Sequence, residues 1–365
     1  MNNWIIQNNK VKVGVTEICG QLDPVVITID GKEISPLSKA PWVNEVHDNN
    51  TPPMLRNLRN DFFCAPFGNS DYLEDESRAH GSTANERWDE ININPDKIEL
   101  ELSKKVMGAG VKKIILIIDD QSVVYEEHIF RGGKGRIPIG HHLMLKADEQ
   151  LLLNFSNWTY GGTPSSPIEI DPEKGRSLLL YPQEFKSLNE VKLSGSEYID
   201  LTKYPSLNDH EDLIMLVSDD SLPFAWSTAT APKAGWVFFA IKSPRILRNT
   251  ILWLSNGGRY YPPFSRRHKN VIGIEETTSF FHLGHKASIN KNFLNEKGYK
   301  TFIELNEGTF SARYLFGLAS IPHNFSRVHS IEPYNGGINI IDENRLKVFT
   351  KVNLNFIYEN EEETK

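Results

Sequence analysis

Residues 249–281 read NTILWLSNGGRYYPPFSRRHKNVIGIEETTSFF. Two runs rich in β-branched, leucine and aromatic residues flank a connection that carries Gly257-Gly258 and Pro262-Pro263. No apolar period of 3.6 residues crosses it, so the stretch reads as strand, loop, strand. The second run, Val271–Ile274, ends on Glu275 behind an aromatic, arginine-rich loop. A carboxylate there is costly to bury unless it is paired or used.

The same signature recurs along the chain. KVKVGVTEI, PVVITIDG, KIELELSKKV, KKIILIIDD, LLLNFSNW, DLIMLVSD, GWVFFAIK, YKTFIELN and LKVFTKVNLNFIY are all short runs bounded by Gly, Pro, Asn or Asp. The best helical candidate is the brief segment 182–188. Strands at this density without helices between them exclude a parallel α/β sheet and leave a large antiparallel β-sandwich or barrel. No repeat of about 20–50 residues is visible, which argues against a propeller or solenoid. Polar stretches at 194–212 and 286–298 read as long surface connections, and the tail ENEEETK as a frayed end.

A chain of 365 residues can bury a large core, and 39% hydrophobic with 24% charged residues is ordinary for a globular protein. No apolar run approaches the length of about 20 residues that spans a membrane. The start, MNNWIIQNNKVKV, lacks the basic and apolar blocks of an export signal, so a cytoplasmic protein is expected. Only Cys19 and Cys64 are present, too few for a disulfide framework or a multi-cysteine zinc site, and both read as buried thiols. The net charge of −7 argues against nucleic acid as a partner. The run Arg266-Arg267-His268-Lys269 reads as a solvated loop charge cluster, with an anion site as the alternative.

Three further groups of residues invite chemistry. His80 precedes Gly81 at a loop-to-strand junction, where it either approaches a ligand or caps a turn. His141 and His142 follow Pro138 and Gly140, and strand alternation sends them to opposite faces. Arg59 abuts the apolar stretch DFFCAPFG, where a guanidinium suits sugar hydroxyls, a phosphate or an internal carboxylate. Trp253, Tyr260, Tyr261, Phe264 and Trp226 are candidate flat walls for a pyranose, although aromatics are more often core. Asn256 and Arg259 are candidate hydroxyl partners. A metal site built from His128, His141, His142 and Glu149 is disfavoured, because adjacent histidines do not share a strand face as an H-x-H pair does.

Taken in order, these segments resemble the galactose mutarotase-like superfamily, which includes the aldose 1-epimerases. The similarity lies in Arg59 leading to the Pro66-Phe67-Gly68 turn, then His80-Gly81, then Gly140-His141-His142, then Trp253 to Asn256, and last Val271 to Glu275. It extends from about Val25 to the C-terminus, and the continuations Ser82-Thr83-Ala84 and Leu143-Met144-Leu145 differ from those common in the family. The resemblance implies one many-stranded antiparallel supersandwich domain over residues 1–365. It implies general acid/base opening of a sugar ring with Glu275, His142 and His80 as the catalytic set, and it selects His142 over His141. Arg59, Asn256, Arg259 and Trp253 would bind a monosaccharide or sugar-phosphate substrate. No cofactor is expected, since the chemistry is proton transfer alone. The family's sugar-binding aspartate has no evident counterpart in the sequence. A carbohydrate-binding module or sensor on the same fold is the alternative, and a metal-dependent sugar isomerase a third reading.

Overall fold

The computed structural model describes residues 3–48, 50–69, 71–72 and 78–358. Two large antiparallel sheets form its centre, one of eight strands and one of nine. A four-stranded sheet built from residues 3–34 and a three-stranded sheet built from residues 328–351 flank them. The expected all-β sandwich class is the class observed.

In the eight-stranded sheet, His210–Ser218, Asn249–Asn256 and Val271–Thr278 lie side by side, with Leu213 opposite Trp253 and Trp253 opposite Gly273. Alternation assigns their side chains to two different cores. Ile214, Leu216, Leu252, Leu254, Ile272 and Ile274 meet the nine-stranded sheet in the main core. Leu213, Met215, Ile251, Trp253 and Val271 point the other way, into a second cluster with Trp42, Phe62, Phe67 and Phe264. Both faces of the sheet are covered, which explains why these strands read as nearly continuous apolar runs rather than alternating ones. A third core lies on the far face of the nine-stranded sheet, where Val237, Phe239, Ile241 and Leu315 pack against Ile331, Ile338, Ile340 and Phe356.

Four local expectations are corrected. Within 182–188, Glu184–Phe185 is an edge strand that pairs with Trp158–Gly162, and Phe185 packs edge-on against Trp158. The polar connection 286–298 holds two short helices, His285–Ile289 and Phe293–Glu296, the second closed by a reciprocal Asn292/Asn295 capping box. The run that starts at Leu346 is strand only over Lys347–Lys351 and ends as the helix Asn355–Tyr358. His80 is followed by a helix, Gly81–Asn85, rather than by a strand. The acidic tail lies outside the described residues. Cys19 and Cys64 are buried free thiols, and no described helix is long and apolar enough to cross a membrane.

Candidate active site

A cavity of about 480 Å³, counted to its open mouth and including solvent there, lies over the second core. His80, His142, Trp253, Arg259, Phe264, Glu275 and His282 line it, with Met54, Leu55, Leu58, Ile168 and Leu213 as apolar wall. Of the seven residues to which the resemblance gave catalytic or substrate-binding roles, five, Glu275, His142, His80, Arg259 and Trp253, therefore meet in one place.

Glu275 reaches the cavity because the odd-numbered residues of Val271–Thr278 face that way. Gly273, two residues earlier on the same face, leaves room for it: a Cβ there would stand 2.8 Å from Glu275 Oε1 and 2.9 Å from Trp253 Cβ. His142 leaves the end of the strand Ile139–His141, and its backbone N–H donates to Phe62 O at 2.9 Å. Its ring stacks on Phe62, with centroids 4.7 Å apart and planes at 15°. Its Nε2 then stands 3.4 Å from Glu275 Oε1. His80 meets the edge of the His142 ring at 5.0 Å. The backbone of His80 is left-handed (φ 64°), and Gly81 follows it because a Cβ at that position would lie 2.2 Å from Ala65 O.

Burial sets the charge state of this group. Glu275 is pushed well above the carboxylate range, first by desolvation and then by the negative charge of Asp61, against the opposing pull of Arg259. Desolvation pushes His142 down to about 3, assisted by Arg259. His80 is driven well below the imidazole range and His282 to about 4 for the same first cause. Glu275 and His142 at rest thus hold one proton between them, with the uncharged arrangement favoured.

Arg259 is held by Glu211, with Nε 3.0 Å from Oε1, and its guanidinium lies over the Phe264 ring at 4.4 Å. The same carboxylate accepts from Trp253 Nε1 at 2.5 Å and from Ser255 Oγ at 3.0 Å. Glu211 was not foreseen from sequence. Its signal was the triplet His210-Glu211-Asp212 at the head of an otherwise apolar strand, in which the middle residue takes the face opposite its neighbours.

Arg59 and Asn256 do not line the cavity. Arg59 pairs with Asp23 at 2.7 Å, joining the Phe62 segment to the N-terminal sheet, so it meets an internal carboxylate. Asn256 donates to Leu207 O at 2.7 Å and accepts from Asn270 N at 3.0 Å, which ties two loops together and leaves its amide no reach to a ligand. The four residues of the disfavoured metal site do not converge: His128 and His141 lie side by side between the two large sheets, with ring centroids 5.2 Å apart, His142 faces the cavity, and Glu149 accepts backbone N–H groups of Lys233 and Ala234. In the basic run, Arg267 pairs with Glu45 and Arg266 stacks on Tyr260.

Neither a protein-family model nor a curated protein sequence matches the chain. Solved structures do. A candidate aldose 1-epimerase of Escherichia coli K12 superposes with a TM-score of 0.56 at 11% identity, over 88% of this chain and 99% of that one. A galactose mutarotase related enzyme from Lactobacillus acidophilus gives 0.53 at 11% identity, over 87% and 98%. This chain has the galactose mutarotase-like fold. In that fold the cavity sits on the face of the eight-stranded sheet turned away from its partner sheet, and Glu275 and His142 enter it from hydrogen-bonded neighbouring segments.

Proposed function

We propose that the protein is an aldose 1-epimerase-like enzyme that interconverts sugar anomers by acid/base opening of the ring. The observation that carries this reading is the contact between His142 and Glu275 inside a cavity with aromatic walls. Opening a pyranose removes one proton from the anomeric hydroxyl and adds one to the ring oxygen. In the ion-pair arrangement, Glu275 takes the proton from O1 while the imidazolium of His142 gives one to O5, and the C1–O5 bond breaks to leave an aldehyde. The pair is then uncharged, the arrangement that burial favours. Rotation about C1–C2 followed by the reverse transfers closes the other anomer, with no net change in protons. His80 faces the same space and would hydrogen-bond the oxygen on which charge develops. Trp253 would lie along the sugar's C–H face, and Arg259 would orient hydroxyls.

A binding-only role would be favoured had Glu275 been tied to an arginine. That arginine is tied to Glu211 instead, which supports the catalytic reading. Arg259 is also the lone cation among the described residues lining the cavity, and its pairing favours an uncharged aldose over a sugar phosphate.

The test is anomer exchange measured by NMR on a panel of free and phosphorylated aldoses. Acceleration by the wild type, lost in both Glu275→Gln and His142→Asn, is the expected result. Saturable sugar binding without acceleration of any aldose would replace this reading by a sugar-binding module.

A further inference from the structure

Directly behind the cavity wall, in the dry space between the two large sheets, lies a second group of ionisable residues. Asp61, Lys113, Glu126, His128 and His141 are fully buried there. His128 and Lys113 face each other across one strand pair, and Glu126 faces Tyr314 across the next. One ligand atom from each of Asp61, Glu126 and His141 falls within 4.8 Å of the others. His141 Nδ1 is 3.1 Å from Asp61 Oδ2, and the His141 ring lies 4.4 Å from that of Tyr314. Lys113 Nζ donates to Gly20 O at 2.7 Å.

Charge counting decides how such a group can exist. Several unbalanced charges in a dry interior would cost more than a fold can spare. One lysine cation offsets one carboxylate, so the second carboxyl must keep its proton. Asp61 is the anion, since Glu126 is pushed up to about 8 by burial and by Asp61, and Asp61 only to about 6. The ammonium already supplies the positive charge, and a divalent ion added to it would leave the interior with an excess.

The connection to the cavity is through two dipeptides. Asp61-Phe62 and His141-His142 lie on adjacent antiparallel segments joined by the His142 N–H to Phe62 O bond. Each dipeptide sends its first side chain into the main core and its second to the opposite side of the sheet, where Phe62 packs in the second core beneath the cavity and His142 lines it. On the core side Asp61 holds His141; on the cavity side Phe62 stacks on His142. We propose that the buried Asp61–His141 pair, counter-charged by Lys113, positions the catalytic histidine: it clamps the backs of both dipeptides and so fixes the His142 ring against Glu275. Asp61 and His141 touch no substrate in this scheme, and Glu126 only completes the charge balance. The charge of Asp61 also acts through the sheet on Glu275.

The inference rests on the epimerase reading for its kinetic consequence but not for its structural one, and the experiment separates the two. In full-length protein, Asp61→Asn removes the anion and Glu126→Gln preserves it. Asp61→Asn is expected to lower kcat by about 10²-fold, the usual consequence of a misplaced reacting group, with KM little changed. Glu126→Gln is expected to leave both near wild type. The ¹⁵N ring resonances of His142 should shift or split in Asp61→Asn and hold in Glu126→Gln. Should no aldose be turned over by the wild type, the epimerase reading fails and these resonances still decide the positioning role. If Asp61→Asn does not fold, His141→Asn carries the same expectations. Unchanged His142 resonances in the variant, equal losses in Asp61→Asn and Glu126→Gln, or a stoichiometric divalent metal in the purified protein would each overturn the proposal.

Discussion

Glu275 and Glu276 are neighbours on one strand and equally hidden, at 2% and 1% exposure, yet their surroundings differ in kind. Glu276 faces the core between the sheets. There it pairs with Lys242 and accepts from Ser227 Oγ at 2.5 Å and Thr250 Oγ1 at 2.7 Å. Lys242 in turn donates to Asn249 O at 2.7 Å. Glu275 faces the cavity, and among the described residues its carboxylate is paired with His142 alone, at 3.4 Å. A carboxylate saturated with donors is fixed in place. One left with a lone imidazole can exchange a proton. Partner count, rather than burial, separates the acid held in a network from the one the proposed reaction would use.

The sharpest way to break this contrast is to neutralise each carboxylate in turn. Glu275→Gln should lower turnover at least 10²–10⁴-fold, the worth of one general acid/base group, while denaturant midpoints stay near wild type. Retained turnover would remove Glu275 from the reaction. Glu276→Gln should do the reverse. It leaves Lys242 buried without its anion, a loss of about 3–5 kcal/mol where one partner of a buried pair is removed. The fraction that remains folded should turn over normally. A stable Glu276→Gln variant with poor turnover would show that the two faces of the strand are not independent.

A smaller effect sharpens the same comparison. Gly273→Ala would place a methyl 2.8 Å from Glu275 Oε1, in a crowded wall where overpacking costs about 1–3 kcal/mol. Turnover should drop with it, because the carboxylate must move away from His142. Gly140 is more crowded still, with Thr277 Cγ2 2.5 Å from a Cβ built there, so Gly140→Ala shows what destabilisation alone does when no methyl is set against the Glu275 carboxylate.

The strand register that divides Glu275 from Glu276 was legible in the sequence, and so was the division of His141 from His142. Both follow from period-two alternation in apolar runs. What lay hidden depends on contacts distant in sequence. Arg59 sits where a ligand arginine could be read, but Asp23, 36 residues away, holds it. Arg259 and Trp253 are brought together by Glu211, over 40 residues upstream of both, and a single chain gives no sign of that pairing. His282 and the ring of Phe62 are placed by the packing of loops onto the sheet. The short helices escaped notice because four or five residues are barely one turn, too few for a 3.6-residue pattern to register.

The least expected change is one of position on the pH axis. An ordinary carboxylate and imidazole, near 4.5 and 6.5, hold one proton between them only in the interval separating those values. In this site the second proton joins His142 only near pH 3, and the last leaves Glu275 well above 4.5. The one-proton state that the proposed ring opening requires therefore survives into acid, and in Asp61→Asn, where no anion behind His142 titrates near 6, kcat/KM should show no acid limb between pH 4 and 6. Stability should behave differently. His80, His128, His141, His142, His268 and His282 all titrate below their unfolded value when folded, so the unfolded chain binds more protons at these sites as pH falls through about 6.5. Asp61, Glu126, Glu211 and Glu275 are raised and act in the opposite sense, losing stability as pH rises above about 4.5. The six histidines outnumber the four acids, so urea midpoints should fall as pH is lowered from 6.5 towards 4. Over the same range the rate per folded molecule of Asp61→Asn should hold level, while that of the wild type falls as Asp61 takes up its proton near 6. A rate that in Asp61→Asn still declined below pH 6.5 in step with an ordinary imidazole would place His142 in contact with water, and the distinction between the two faces of the sheet would lose its basis in burial.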